Sequence, residues 1–456
     1  MVHHGDRSAR WCGQRRLRER APMTAAWTPR VQVKTYEEVT GAIRRARAAA
    51  AELRLAGRAV KDRALLAVAE AAADRTVEIL DANGRDLDAA RDSGADGAAL
   101  DQLALSEHTL KTLADELRDW ARPADPVGEV LRESTRPDGV HLHQVRVPIG
   151  VVAVLYDGEP GVLLRALGPL LKAGNAVLVR AGRGGTRTSE TLVGIAREAL
   201  VGAGLPADGL QLISSAQRSS MRYLIAARGE VDLLIPLLSP GLRAAVIPEA
   251  KVPLIEVGGG RCHLYLDRAA DLDLAVRVVL RSTTGPGRLG LRADTILVHT
   301  DIADRLVPRL ASVLGEAGVA LRGDPTASAL APDRLAAADP GWPDGPDPSY
   351  VTCAVVGTFD EAAGHIERYG TGHTEAVVTA DQSVSDAFAS RIDAGTIVVN
   401  APTTYDASTG DAATAGIEPL AYSTQRLSPR GPLGLAELTT TKWIARAEEG
   451  AGQLRP

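Results

Sequence analysis

An α/β protein built from two wound parallel sheets is what the sequence predicts, on three observations. From Gly150 onward, short β-branched runs alternate with helical segments: Gly150-Val-Val-Ala-Val-Leu-Tyr, a helix ending near Gly174, Ala176-Val-Leu-Val-Arg, a second helix, then Leu210-Gln-Leu-Ile. The alternation resumes at Val231-Asp-Leu-Leu-Ile-Pro, Val252-Pro-Leu-Ile-Glu-Val, Thr295-Ile-Leu-Val-His and Thr396-Ile-Val-Val-Asn, which predicts a second α/β domain. Ahead of both, from Tyr36 to Leu117, Ala and Leu recur with charges at helical spacing, as amphipathic surface helices require.

Taken in order, the first residues are basic, with Trp11 and Cys12 but no apolar run, so they do not read as a secretory signal. Met23 is a candidate start, and the stretch before it is expected to carry no function. After the helices, Pro123, Pro126 and Pro137 mark a boundary. The alternating Val140-His-Leu-His-Gln-Val-Arg-Val then reads as an extended strand or arm. His141 and His143 share one strand face there, but no third ligand can be named, so no metal site is expected. The Pro- and Gly-rich segment from Asp339 to Ser349 is a surface loop, since those residues continue neither helix nor strand.

A parallel sheet binds its ligand beyond the carboxyl ends of its strands, most often a nucleotide. Arg180, Gly182, Gly184, Gly185 and Thr186 occupy one such end and open a helix, so their backbone amides are candidates to receive a cofactor phosphate. Arg183 and Arg187 would suit an additional phosphate, and read equally well as solvated arginines.

The 456 residues are 45% hydrophobic, enough for two or three domains with sizeable cores. A formal net charge of -5 offers no basic stripe for nucleic acid. Apolar runs fall short of the ~20 residues that span a bilayer. Cys12, Cys262 and Cys353 lie far apart, which fits neither a disulfide framework nor a CxxC motif, so a reducing cytoplasm is expected.

Five stretches in register carry a family resemblance. They are Val145-Arg-Val-Pro-Ile-Gly-Val-Val running into Leu171-Lys-Ala-Gly-Asn-Ala-Val-Leu-Val-Arg; Val231-Asp-Leu-Leu-Ile-Pro continuing to Val252-Pro-Leu-Ile-Glu; Cys262-His-Leu-Tyr-Leu-Asp; Tyr369-Gly-Thr-Gly-His-Thr-Glu-Ala-Val-Val-Thr; and the segment from Ser423-Thr-Gln-Arg through Arg430-Gly-Pro-Leu-Gly-Leu to Lys442. Together they resemble γ-glutamyl phosphate reductase, also called glutamate-5-semialdehyde dehydrogenase, of the aldehyde dehydrogenase superfamily. That resemblance implies an aldehyde dehydrogenase-like fold: a Rossmann-like NADP-binding domain (31–132 and 148–256), an α/β catalytic domain (257–422) and a β oligomerisation arm (133–147 with 423–445). Residues 1–30 would be a disordered or non-native extension and 446–456 a tail. It implies a homo-oligomer, or a hetero-oligomer with an active paralogue.

The implied reaction is NADPH-dependent reduction of L-glutamyl 5-phosphate to glutamate 5-semialdehyde, in proline biosynthesis. A cysteine thiolate expels phosphate, and hydride then collapses the resulting thioester. The resemblance matches Glu256 to the general-base position and Gly290 to the nucleophile, where glycine supplies no thiolate. Cys262 is the nearest substitute in sequence, although a small buried residue at a strand start is the plainer reading; Cys353 reads as core. Asp157 and Gly161 fall in the substrate segment Tyr156-Asp-Gly-Glu-Pro-Gly-Val, where Glu159 and Gly161 replace the family's arginine and asparagine. The family's Gly-Gly-Lys-Gly turn is replaced by Leu237-Leu-Ser-Pro-Gly, and its Gly- and Glu-rich loop by Asp406 to Gly416.

Three readings stay open: a reductase that uses Cys262 or transfers hydride directly, a noncatalytic paralogue that binds a metabolite or an active reductase subunit, and different chemistry with Glu256 as base.

Overall fold

A computed structural model describes residues 29–182, 184–214, 217–285, 290–333, 335–337, 349–404 and 417–447. Five helices lead: α1 Pro29–Leu53, α2 Arg58–Asp74, α3 Thr76–Asp92, α4 Gly97–Leu103 and α5 Glu107–Ala121. Two antiparallel strands follow, β1 Val130–Thr135 and β2 Val140–Pro148. The first parallel unit is β3 Val151–Tyr156, α6 Val162–Lys172, β4 Ala176–Arg180, α7 Thr186–Gly202, β5 Leu210–Ile213, α8 Arg218–Ala226, β6 Leu233–Leu237 and α9 Pro240–Val246.

The second unit runs β7 Cys262–Leu266, α10 Leu272–Thr284, β8 Ala293–His299, α11 Thr300–Glu316, β9 Ala320–Gly323, α12 Pro325–Leu330, β10 Ala336–Ala337, β11 Tyr350–Val356, α13 Phe359–Tyr369, β12 Thr374–Val378, α14 Gln382–Arg391 and β13 Thr396–Val399. A short hairpin, β14 Tyr422–Ser423 with β15 Gly431–Pro432, precedes the last strand, β16 Thr439–Ala447.

The first sheet has the order β5-β4-β3-β6, all parallel. Every residue of β3 and β4 is buried, because helices cover both faces; this is why these strands read as unbroken apolar runs. Helices α2 and α5 pack over α6 and α7, and α1 packs on β4, β5 and α8. The second sheet has the order β10-β9-β11-β8-β7-β12-β13, also parallel, around separate apolar clusters.

Three features differ from the sequence reading. Val252 to Val257 is no regular strand: it makes isolated bridges only, Leu234 with Leu254 and Val257 with Ser423, since Pro253 brings no N–H to a ladder. The arm sheet is β1-β2-β16, so its last strand begins at Thr439 rather than near 423. Leu433, Leu435 and Leu438 are instead buried in the first domain's core together with Ile417 and Leu420. Residues 1–28 and 448–456, Arg183, and the segments 339–348 and 406–416 singled out above lie outside the described residues. Among the described residues, no helix is long and apolar enough to cross a membrane.

The Lys-Ala-Gly-Asn turn after α6 is a structural pin. Lys172 is fully buried, paired with Asp62 and donating to the Ala121 carbonyl at 3.0 Å. Asn175, also fully buried, accepts the Gly150 N–H at 3.0 Å and donates to the Leu438 carbonyl at 2.9 Å. One side chain thus ties the entry of β3 to the segment that leads into the arm. Asn175→Ala would orphan a buried N–H and a buried carbonyl, and is expected to lower the unfolding free energy by about 2–4 kcal/mol, read from urea denaturation.

Candidate active site

The residues singled out above gather at two sets of strand ends. Asp157, Arg180 and Ser239 stand at or just beyond the carboxyl ends of β3, β4 and β6; Cys262, Gly290, His373 and Glu375 stand at the amino ends of β7, β8 and β12. The segment from Glu256 to Gly260 joins them. Val257 bridges Ser423 and its carbonyl accepts from Arg243 at 2.7 Å, while the Gly258 N–H donates to the Tyr422 carbonyl at 3.3 Å.

Gly290 sits with φ +68°, in the left-handed region that favours glycine. A Cβ placed there would lie 2.3 Å from the Gly260 nitrogen and 2.8 Å from the Gly259 Cα. A Cβ on Gly260 would in turn meet the Gly290 carbonyl oxygen at 2.7 Å and His373 at 2.6 Å. The two backbones therefore cross at a separation that glycine alone permits. His373 backs this crossing, fully buried and stacked on the Tyr422 ring at 4.2 Å.

Cys262 lies beside the same crossing, its thiol donating to the Gly290 carbonyl at 3.1 Å and its backbone N–H to Asp294 at 3.1 Å. It has no exposed surface. Burial first, then the Glu375 and Asp294 carboxylates, push its thiol well above the ordinary range, so the thiolate is disfavoured. Cys353 lies within β11, fully buried, and burial likewise raises its thiol. Glu256 is exposed; its backbone N–H donates to Gln425 at 3.0 Å, and among the described residues its carboxylate holds no partner that would aim it.

In the substrate segment, the Asp157 carboxylate is engaged by Ser239, accepting from its N–H at 2.9 Å and its hydroxyl at 2.6 Å. Gly161 precedes α6 with Leu113 at 3.0 Å from any added Cβ. Glu159 pairs with Arg165, which also binds Glu116 at 3.2 Å, so its charge is answered within the chain instead of standing bare toward a ligand.

At the end of β4, Arg180 is buried with its Nε 3.4 Å from the Ser220 hydroxyl. A Cβ on Gly182 would meet the Asp157 Cα at 2.9 Å, and Gly184 takes φ +107°. Gly185 and Thr186 open α7, and the two amides that follow them, of Arg187 and Thr188, are already occupied. Asp86 on α3, nearly fully buried, accepts from the Thr188 N–H and hydroxyl, both at 2.8 Å, and from the Arg187 N–H at 3.3 Å. The Arg187 and Thr188 amides are therefore not open to a cofactor phosphate; a carboxylate from the chain itself holds this part of the positive helix end. Arg187 reaches the same carboxylate at 3.5 Å.

Asp86 escaped the sequence reading, although a signal was present. Ile79, Ala82, Asn83 and Asp86 recur at helical spacing on the buried stripe of α3, and two polar residues on an apolar stripe ask for partners. Also missed was the buried pair His263 and Glu375, joined at 3.0 Å. His141 and His143 bond to Thr135 and Glu133, each at 3.0 Å. No group of His, Cys, Asp and Glu that could hold a metal ion occurs among the described residues.

Residues 11–329 match the model of the aldehyde dehydrogenase family, and the chain belongs to that family. Among solved structures it is similar to γ-glutamyl phosphate reductase from Thermotoga maritima, at 34% identity over 90% of this chain and 99% of that one, with a TM-score of 0.83. Its place is thus in the γ-glutamyl phosphate reductase branch. An acetylating aldehyde dehydrogenase from Geobacillus thermoglucosidasius (17% identity, 92% and 98% covered, TM-score 0.65) and an engineered glycolyl-CoA reductase with bound NADP+ (14%, 89% and 96%, 0.62) share the fold.

Proposed function

We propose that this chain is a noncatalytic member of the γ-glutamyl phosphate reductase branch that binds a small metabolite where the Glu256–Gly260 segment joins its two sheets and forms no thioester. The observation that carries this reading is the crossing of Gly290 over Gly259 and Gly260, where the position matched to the nucleophile has neither a side chain nor room for one. The sealed, protonated Cys262 supports it, because a thiol without solvent access or thiolate character cannot attack an acyl carbon.

Membership in the aldehyde dehydrogenase family supports a nicotinamide cofactor in the first domain, with NADP as the form implied by the branch. Such a cofactor would supply hydride when bound. This chain's loop from Arg180 to Thr186 would border it, while the Arg187 and Thr188 amides, held by Asp86, take no part. The arm strands β1, β2 and β16 are available for pairing subunits, either copies of this chain or an active reductase subunit. Two free, buried cysteines suit a reducing cytoplasm.

A second reading, NADPH-dependent reduction of L-glutamyl 5-phosphate by direct hydride transfer, is favoured by the 34% identity with the Thermotoga reductase across nearly the whole chain. It forgoes covalent catalysis, at a cost of several orders of magnitude in rate.

The reverse assay separates these readings. Purified protein with glutamate-5-semialdehyde, phosphate and NADP is expected to give no NADPH absorbance above a protein-free control, and Cys262→Ser is expected to match it. Turnover that Cys262→Ser abolishes would overturn the proposal; turnover that survives it would establish direct transfer.

A further inference from the structure

The strand order β5-β4-β3-β6 sets β3, the first strand of its unit, between β4 and β6. The chain winds outward from β3 through β4 to β5, then returns to lay β6 on the other side. The boundary between β3 and β6 is therefore a topological switch point, and the crevice beyond the carboxyl ends of such a strand pair is where an open parallel sheet takes its ligand.

In this chain that crevice is stitched. Asp157, the residue after β3, accepts from the Ser239 N–H with both carboxylate oxygens, at 2.9 and 3.1 Å, and from the Ser239 hydroxyl at 2.6 Å. Ser239 lies two residues past β6, so these bonds join the two lips of the crevice. The next residue, Pro240, brings no N–H to serve a ligand instead. The other flank of β3 is filled by backbone. A Cβ on Gly182, two residues past β4, would lie 2.9 Å from the Asp157 Cα and 3.4 Å from the Gly158 nitrogen.

Charge points the same way. Arginines on the helices that follow these strands are answered inside the chain: Arg165 of α6 by Glu159 and Glu116, and Arg187 of α7 by Asp86. A ligand that brings a diphosphate to the switch point has to break the Asp157–Ser239 contacts and then sit beside a like charge.

We infer that Asp157 is a specificity-determining residue that keeps the affinity of the first sheet for a dinucleotide low, discriminating against the phosphates of the ligand and not against its nucleoside. This rests on the nicotinamide-cofactor reading above, which gives the first domain its ligand class.

The test is calorimetric titration of the full chain, Asp157→Asn and Asp157→Ala with NADP, ADP and adenosine at fixed ionic strength, with the unfolding midpoint of each ligand-free protein measured alongside. Asp157→Asn removes the charge but keeps an acceptor oxygen for the Ser239 N–H, whereas Asp157→Ala removes both charge and stitch. Both variants should bind NADP and ADP roughly tenfold or more tighter than the parent, as follows from taking a like charge away from a phosphate. Adenosine should bind all three proteins alike. If Asp157→Ala unfolds below the titration temperature, Asp157→Asn alone decides. Equal affinity of parent and variants for NADP and ADP, or a gain that extends equally to adenosine, would overturn the inference and leave a nucleotide site in the first domain standing. Absence of binding by every ligand to all three proteins would overturn the cofactor reading together with it.

Discussion

Gly290→Cys is expected to give a less stable protein with no gain in reductase turnover. The substitution places a Cβ 2.3 Å from the Gly260 nitrogen, and that neighbour is backbone, not the movable end of a side chain. It also forces a residue with a Cβ to hold φ +68°. Left-handed strain and overpacking each cost on the order of 1–3 kcal/mol, so a loss of about 2–6 kcal/mol is expected in urea denaturation. Gly290→Ala should lose a similar amount, since the clash belongs to the Cβ and not to the sulfur. If the cysteine variant instead folds with parental stability and reduces NADP with glutamate-5-semialdehyde, position 290 is an emptied but intact nucleophile site.

Asp86→Ala should be nearly as damaging, through a different cause. Asp86 supplies from α3 the cap that the sequence of α7 lacks: Gly185 at the cap position has no side chain to offer. Two backbone amides and the Thr188 hydroxyl would lose their acceptor in a buried site, and the helix end would lose its compensating charge. We expect a loss of about 3–4 kcal/mol in urea denaturation, with faster hydrogen exchange at Arg187 and Thr188. Asp86→Asn, which keeps one acceptor oxygen, should lose about half as much.

Much of the scaffold was legible because local pattern and burial agree. Strands β3 and β4 are wrapped on both faces, so composition alone marks them, and the turn from Lys172 to Asn175 carries its motif because both polar side chains are pinned. Val252 to Val257 has strand composition, yet Pro253 and the lack of a continuous partner leave only bridges. The start of the arm was misplaced because Leu433, Leu435 and Leu438 look alike whether they end a core or begin a strand.

At the candidate site, the missing nucleophile was readable from register. The closeness of Gly290 to Gly259 and Gly260 was not, since it depends on two segments about thirty residues apart meeting in space. The sealing of Cys262 was hidden for the same reason: Glu375 and Asp294, which surround it, come from β12 and β8. Asp86 has a role set by distant partners, the amides that open α7 about a hundred residues later.

No thiol beside the Gly290 crossing is expected to form a thioester, and intact-protein mass spectrometry tests this most directly. Native protein would be held with glutamate-5-semialdehyde and NADP without phosphate, so that any acyl-enzyme accumulates, then quenched in acid, weighed and digested. An unchanged mass, with Cys262 unmodified in its peptide, is the result the buried thiol predicts. An acyl adduct mapped to Cys262 would contradict it and make this chain a reductase with a relocated nucleophile.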